Sequence, residues 1–264
     1  MKVKFLIASI SAVAIFLIAT VIFSTYKVES QSVAKAHKQT ERNDLPIVDL
    51  PADSKIPENE KPLREKRNKR YDLKDDKIDK SKLVFKESDY AEVYNLPISD
   101  VPIAAIPAYQ SDAVIIGTVT DRKAFLSNDK ITVYSEFTVQ VEQVLKGQSN
   151  TLLTPRNTVA VQRRGGAVRL PSGKIIRRGA IFETMPLSEK RYLFFLESDK
   201  ESESFQIVTG YQLRNGQVFP LDGVNPPDGG RKVKQFAVYE GMNQDEFLKQ
   251  IQNELTEQEG GKDE

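Results

Sequence analysis

Cysteine is absent from the 264 residues, and histidine occurs once, at His37. The missing cysteine excludes disulfides, thiolate zinc sites, iron–sulfur clusters and a cysteine nucleophile. His37 lies in a polar stretch, so a Ser-His-Asp triad inside a folded domain, a two-histidine metal site and most histidine-based proton transfer are excluded as well. We therefore expect no catalytic activity, no bound metal and no cofactor.

The sequence also lacks an excess of charge of either sign. It contains 38 Lys and Arg residues and 37 Asp and Glu residues, for a net charge of +1. Such a balance gives the whole molecule no attraction to nucleic acid. Apolar residues make up 39% of the chain and charged residues 28%. This is leaner in apolar residues than an average globular domain, so part of the chain is expected to stay outside any core.

The N-terminal region contains a long uncharged run, FLIASISAVAIFLIATVIF, at residues 5–23. As a helix this run spans roughly 28 Å, about the thickness of the hydrocarbon layer of a bilayer. We interpret residues 1–26 as a transmembrane signal anchor; the alternative is a cleaved signal peptide, whose apolar region is normally shorter. Lys2 and Lys4 favour a cytoplasmic N-terminus and an exported C-terminal domain, although the basic residues within 27–42 argue for the reverse orientation.

Residues 27–88 have a different composition, with 16 basic and 13 acidic residues and prolines that recur every five or six positions between 46 and 62. A segment of this kind cannot bury enough apolar surface to offset the entropy of ordering it. We predict that residues 27–99 form a charged, flexible tether. Its basic cluster is interpreted as a solvated spacer, with contact to anionic lipid headgroups as the alternative. The cluster consists of Arg64, Lys66, Arg67, Lys69 and Arg70.

Strand patterns begin near residue 100. Ile131 to Glu142 alternate between apolar and polar residues, which predicts a long strand with one buried face and one wet face. Val144 and Leu145 break this alternation, which indicates a bulge at the strand end. Residues 192–196 are apolar throughout, as in a strand that is covered on both faces, and Asn215-Gly216 is a strong hairpin signal.

Further strands are predicted at 113–119, 158–162 and 205–209, with a hairpin formed by 167–170 and 174–177. At the C-terminus, Asn243 is a good helix N-cap. An apolar stripe follows it, made of Phe247, Leu248, Ile251 and Leu255. These patterns predict a β-domain at residues 100–241 and a C-terminal helix with a frayed tail at 242–264. A chain that starts near Asp100 is expected to fold without the first 99 residues.

Three segments carry a resemblance to known domains, namely SDAVIIGTV at 111–119, YSEFTVQV with VLKG at 134–147, and RYLFFL at 191–196. Over residues 110–220 their order resembles a group of uncharacterised bacterial exported domains. It is also similar to the OB-fold barrel of netrin-like modules and tissue inhibitors of metalloproteinases. Those inhibitors depend on an N-terminal cysteine and several disulfides, so the resemblance implies a barrel and an exported setting but no inhibitory residue. The predicted fold is mostly β, a small closed or partly open OB-like barrel with one C-terminal helix.

A stretch of 40 residues, 143–182, contains eight basic residues and no acidic one. Two arginine pairs flank the predicted hairpin, and pairing of its strands brings both pairs to the same end. Guanidinium groups beside glycines suit bidentate binding of phosphate, carboxylate or sulfate groups. Our hypothesis is therefore that an anion is bound by Arg163, Arg164, Arg177 and Arg178. The alternative is a solvated, mobile hairpin whose charge prevents edge-to-edge aggregation.

Carboxylates at turns and on polar strand faces are the remaining candidates for chemistry. They are Asp112, Asp121, Glu136, Glu142, Glu183 and Asp222. No pattern pairs two of them, and exposed carboxylates are the ordinary case. The oxygen-rich segment 221–230 lacks the ligand spacing of a calcium loop and is interpreted as turns.

The sequence predicts a bacterial single-pass membrane protein whose C-terminal domain binds or interacts outside the cytoplasm, without chemistry. Its expected partners are the membrane, through the N-terminal helix, and an anionic envelope component or a protein. Nucleic acid is not favoured, because no aromatic residues interleave with the arginines. One alternative is a cytoplasm-facing OB-like binder of polyanions or nucleic acid, and another is a carboxylate-dependent hydrolase.

Overall fold

The computed structural model of the protein describes residues 45–50, 56–74, 79–80, 83–86, 94–95, 104–147, 152–179, 184–223 and 234–260. The membrane anchor predicted at residues 1–26 lies outside these ranges. Within them, no helix combines the length and the apolar character that crossing a bilayer requires.

Ten strands and three α-helices are described, and five of the strands close into a barrel. The strands are β1 (Ile47–Asp49), β2 (Tyr94–Asn95), β3 (Ala113–Leu126), β4 (Val133–Lys146), β5 (Thr158–Arg164), β6 (Gly166–Arg169), β7 (Ile175–Gly179), β8 (Arg191–Asp199), β9 (Ser204–Arg214) and β10 (Gln217–Pro220). The helices are α1 (Lys61–Arg70), α2 (Lys234–Ala237) and α3 (Gln244–Gly260). The barrel runs β3-β4-β5-β9-β8 and returns to β3. Its β5–β9 pair is parallel, and the other four pairs are antiparallel. The prediction of a mostly β fold with a barrel and a C-terminal helix is therefore confirmed.

Strand β4 has the buried face that its sequence predicts, since Val133, Phe137 and Val141 are fully buried. The other face is only partly wet, because Gln140 is exposed whereas Tyr134 is buried. The expected bulge is present as well, because the pairing of β3 with β4 shifts register twice near the end of β4. Gly117 allows these strands to approach closely, since a Cβ at that position would lie 2.6 Å from the carbonyl oxygen of Gln140.

Strand β8 is covered on both faces, which explains its unbroken apolar run. Leu193 and Phe195 pack in a cluster with Phe247 and Ile251 of α3. Their neighbours in the strand are buried too, on the opposite face. The N-cap prediction for α3 is confirmed, because the Asn243 side chain accepts hydrogen bonds from the amides of residues 245 and 246 at 2.9 and 3.2 Å.

The β9–β10 hairpin turns where the sequence predicts it. Asn215 and Gly216 both have positive φ angles, of 52° and 73°, as a two-residue type I′ turn requires. The strand before the turn is longer than predicted, since β9 runs without interruption from Ser204 to Arg214. The pairing of β9 with β8 spans most of this length and keeps it continuous.

The arginine-flanked hairpin forms with the predicted pairing, but neither of its edges is open. Val168 of β6 faces Ile176 of β7. β1 adds to the outer edge of β6 and β2 to the outer edge of β7, both in parallel, so the sheet order is β1-β6-β7-β2. Between β5 and β6, Gly165 and Gly166 have φ angles of 109° and 149°, which lets the chain turn out of the barrel into this smaller sheet.

The prediction of a flexible tether over residues 27–99 is corrected where the structure describes that region. The described residues from Pro46 onward belong to one compact unit. α1 starts with Pro62 in its first turn and ends in basic residues, both favourable positions in a helix. Tyr71, directly after it, is only 1% exposed and stacks on Tyr134 with ring centroids 4.2 Å apart. The charged composition predicts a flexible segment, but arginines of α1 form ion pairs with carboxylates of the barrel.

Candidate functional site

The four arginines predicted to bind an anion do not form one solvated cluster. Arg163 and Arg178 are 3% and 4% exposed, whereas Arg164 and Arg177 are half-buried. Neighbouring residues of a strand point to opposite faces, so each arginine pair is divided between two environments. The four-residue hypothesis is therefore corrected, because two of its members serve the fold.

Arg163 belongs to a buried polar cluster. Its guanidinium donates to the Asp222 carboxylate at 2.6 Å and to the carbonyl oxygen of Thr184 at 2.8 Å. The Thr209 hydroxyl donates to the same Asp222 oxygen at 2.8 Å. Asp222 was predicted to be an exposed turn carboxylate, but the structure buries it as the counterion of Arg163.

Arg178 joins the small sheet to the segment that precedes the barrel. Its guanidinium lies 4.1 Å from the centroid of the Phe85 ring, a cation–π contact. It also donates to the carbonyl oxygen of Leu83 at 2.7 Å and to that of Ile131. Arg178 thus holds residues 83–85 against the domain and is not available to a ligand.

Arg164 has a different environment. It lies at the end of β5, opposite Tyr134 of β4, and its guanidinium makes no hydrogen bond or ion pair with any described residue. Burial raises the pKa of the nearby Tyr71 hydroxyl, and the positive charges of Arg70 and Arg164 oppose this shift only in part. Arg164 is therefore a half-buried cation without an anionic partner in the described part of the chain.

A second charged site, which is not among those predicted, surrounds Glu136 on the outer face of the barrel. Arg64 of α1 binds both oxygens of Glu136 at 2.9 Å, Arg67 approaches at 3.2 Å, and Gln162 donates at 3.0 Å. Burial alone would raise the pKa of Glu136, but the hydrogen bonds and charges of the two arginines hold it below its usual value. Glu136 is therefore an anion at neutral pH.

Aromatic rings frame the same site. The Arg64 guanidinium lies 3.6 Å from the centroid of the Phe125 ring and donates to the Tyr134 hydroxyl at 3.1 Å. Burial raises the pKa of Tyr134 to about 12, although Arg64 opposes the shift. At the other end of α1, Arg70 pairs with Asp199 at 2.8 Å. The spacing of residues 64, 67 and 70, which places them on one helix face, is the signal from which this site could have been found.

The remaining predicted carboxylates make local contacts. Asp112 accepts from the amide of Ser198 at 2.8 Å, and Asp121 pairs with Lys123 at 2.8 Å. Glu142 accepts from Arg191 and from Thr118, both at 2.7 Å. Glu183 lies outside the described residues. Among those described, no three His, Asp or Glu side chains group in a way that would hold a metal ion.

Comparison with known proteins gives no family for the chain. No protein-family model matches it, and no curated protein matches it.

Proposed function

We propose that this protein is a binding domain without enzymatic activity, an OB-like barrel that an N-terminal anchor presents outside the cytoplasm. Its ligand is an anionic group on an envelope component or on a partner protein. The five-stranded closure, with one parallel pair between β5 and β9, supports an OB-like barrel, a fold that serves binding in many proteins. The uncharged run at residues 5–23 supports the anchor.

The observation that carries the proposal is the state of Arg164. A half-buried guanidinium has lost part of its hydration, and an anionic ligand with two oxygens restores those contacts through charge-assisted hydrogen bonds. Arg164 has no such partner among the described residues. The other arginines of the hypothesis are engaged by the fold or, like Arg177, have contacts of their own, so the proposal rests on Arg164 alone.

Retention on heparin and on vesicles of phosphatidylglycerol tests this function. We expect the variant Arg164→Gln to elute at lower salt than the parent and to bind such vesicles more weakly, with the difference disappearing at high salt. A matched control is Arg191→Gln, which removes the same charge from a surface residue that is paired with Glu142. Equal elution of the two variants would contradict the proposal, because retention would then follow net charge alone.

A further inference from the structure

One row of residues crosses four strands on the outer face of the barrel, beneath α1. Glu136 of β4 faces Gln162 of β5, Gln162 faces Gln206 of β9, and Gln206 faces Glu197 of β8. We call these four residues the cross-strand row. Asp199 lies two residues beyond Glu197 in β8. The row therefore presents carboxylates near both ends and amides between them.

α1 places one arginine after another along the cross-strand row. Arg64 and Arg67 bind Glu136, and Arg67 also donates to the carbonyl oxygen of Ser202 at 3.0 Å. Arg70 donates to Gln206 at 2.9 Å and pairs with Asp199 at 2.8 Å and with Glu197 at 3.5 Å. Three guanidiniums thus share three carboxylates.

The three arginines divide the row between them. Arg64 and Arg67, three residues apart, converge on Glu136 of β4, whereas Arg70, three residues further, reaches Gln206 of β9 and Asp199 of β8. Since three residues of α-helix rise about 4.5 Å, a helix with another arginine spacing would not place its guanidiniums on these same groups. The row is therefore selective for the spacing of the guanidiniums in addition to their charge.

Two contacts of the row and of Asp199 lie within the barrel and do not involve α1. Gln162 donates to Glu136 at 3.0 Å, and the Ser202 hydroxyl donates to Asp199 at 2.6 Å. Both contacts join barrel residues to one another. Without α1 the carboxylates of the row and Asp199 would lose the arginines that bind them, so the free surface would attract another cation of the same geometry.

α1 itself is a helix that depends on this surface. It has ten residues, and Leu63 is its only residue with a large apolar side chain. Helices of this length are marginally stable in water, so packing against a partner usually decides whether they form. The attachment of α1 combines the charge-assisted contacts of its three arginines with the stack of Tyr71 on Tyr134. A second helix with the same arginine spacing competes for the carboxylate and amide oxygens that the arginines bind.

We propose that the cross-strand row is a recognition surface for an arginine-bearing helix of a partner protein, with arginines at i, i+3 and i+6. α1 occupies the surface until such a helix displaces it. This ligand is cationic and helical, so the inference does not rest on the anionic ligand proposed for Arg164.

A peptide of residues 58–74 is the probe for this surface. The full chain with Arg64→Gln and Arg67→Gln, in which α1 is weakened, should bind the labelled peptide saturably in fluorescence anisotropy. A control peptide with lysine at positions 64, 67 and 70 has the same charge but cannot make the bidentate contact, and it should bind roughly tenfold more weakly or worse. Addition of Glu136→Gln to the protein should weaken binding of the arginine peptide to a similar degree.

Absence of saturable binding to the folded variant would overturn the proposal. Equal binding of the two peptides would overturn it too, since attraction would then depend on charge alone. A second measurement needs no substitution in the protein: amide hydrogen exchange of residues 61–70 in the unmodified full chain. Excess arginine peptide should accelerate this exchange by displacing α1, and unchanged exchange at a concentration that saturates the variant contradicts displacement.

Discussion

At the scale of single residues, Arg163 and Arg164 are neighbours with opposite roles. Arg163 is buried and pairs with Asp222 at 2.6 Å, whereas Arg164 is half-buried and lies on the outer face of the barrel. Removal of one partner from a buried ion pair leaves an uncompensated charge in a medium of low polarity. Replacement of Arg164, which has no ion-pair partner among the described residues, leaves no opposite charge uncompensated.

We therefore predict that Arg163→Gln lowers the free energy of unfolding by about 3–5 kcal/mol. Arg164→Gln should change it by no more than about 0.5 kcal/mol. Urea unfolding of the two variants and the parent measures the difference. The prediction fails if both substitutions leave the unfolding midpoint where it is in the parent, because Asp222 would then be stabilised by something other than Arg163.

At the scale of elements, α1 shows why part of this molecule could not be predicted. Strands β4 and β8 follow from their sequences, because burial on one face or on both imposes alternating or continuous apolar patterns. α1 contains almost no apolar residue, so it shows no apolar period. Its arginines would give the same sequence pattern whether they faced water or bound the barrel. β1 and β2 have three and two residues, too few to show any period.

The attachment of α1 should depend on pH. Burial would raise the pKa of Glu136 and of Asp199, but arginines and hydrogen bonds lower both below their usual values. Their contribution to stability is therefore present above the unfolded-state pKa, about 4 for such carboxyls, and is lost as the pH falls through the lower folded-state values. Stability of the parent should decrease across this acidic range.

Glu136→Gln should reduce this acid dependence, because the variant has no carboxyl to protonate at that position. Denaturation midpoints between pH 7 and pH 2, compared with those of Glu254→Gln on the exposed side of α3, measure the effect. The Glu254 variant is expected to follow the parent. Parallel pH profiles for all three proteins would show that α1 is held by contacts other than those to Glu136.

At the scale of the whole molecule, the folded unit begins well before the first long strand. The apolar periodicity starts near residue 100, and from it a chain beginning at Asp100 is expected to fold alone. In the structure, β1, α1, β2 and the turn that carries Phe85 all precede residue 100. A chain that begins at Asp100 would therefore lack them. Tyr134 would lose the ring of Tyr71, and Arg178 would lose the contacts of residues 83–85.

A chain of residues 100–264 should therefore be less stable than one of residues 46–264, the compact unit that the structure shows. Partial exposure of buried aromatic side chains is expected to cost about 3 kcal/mol or more, since each contributes about 1.5–3 kcal/mol when fully buried. Urea unfolding followed by circular dichroism compares the two chains, and binding of a hydrophobic dye reports any exposed core. The barrel contacts of α3 are present in both chains, so a difference isolates the N-terminal elements.

Identical midpoints would mean that β1, α1 and β2 rest on a barrel that is already complete, as the periodicity alone predicts. A lower midpoint with a cooperative transition would instead assign to β1, α1 and β2 the role of an outer layer, of which α1 covers the cross-strand row.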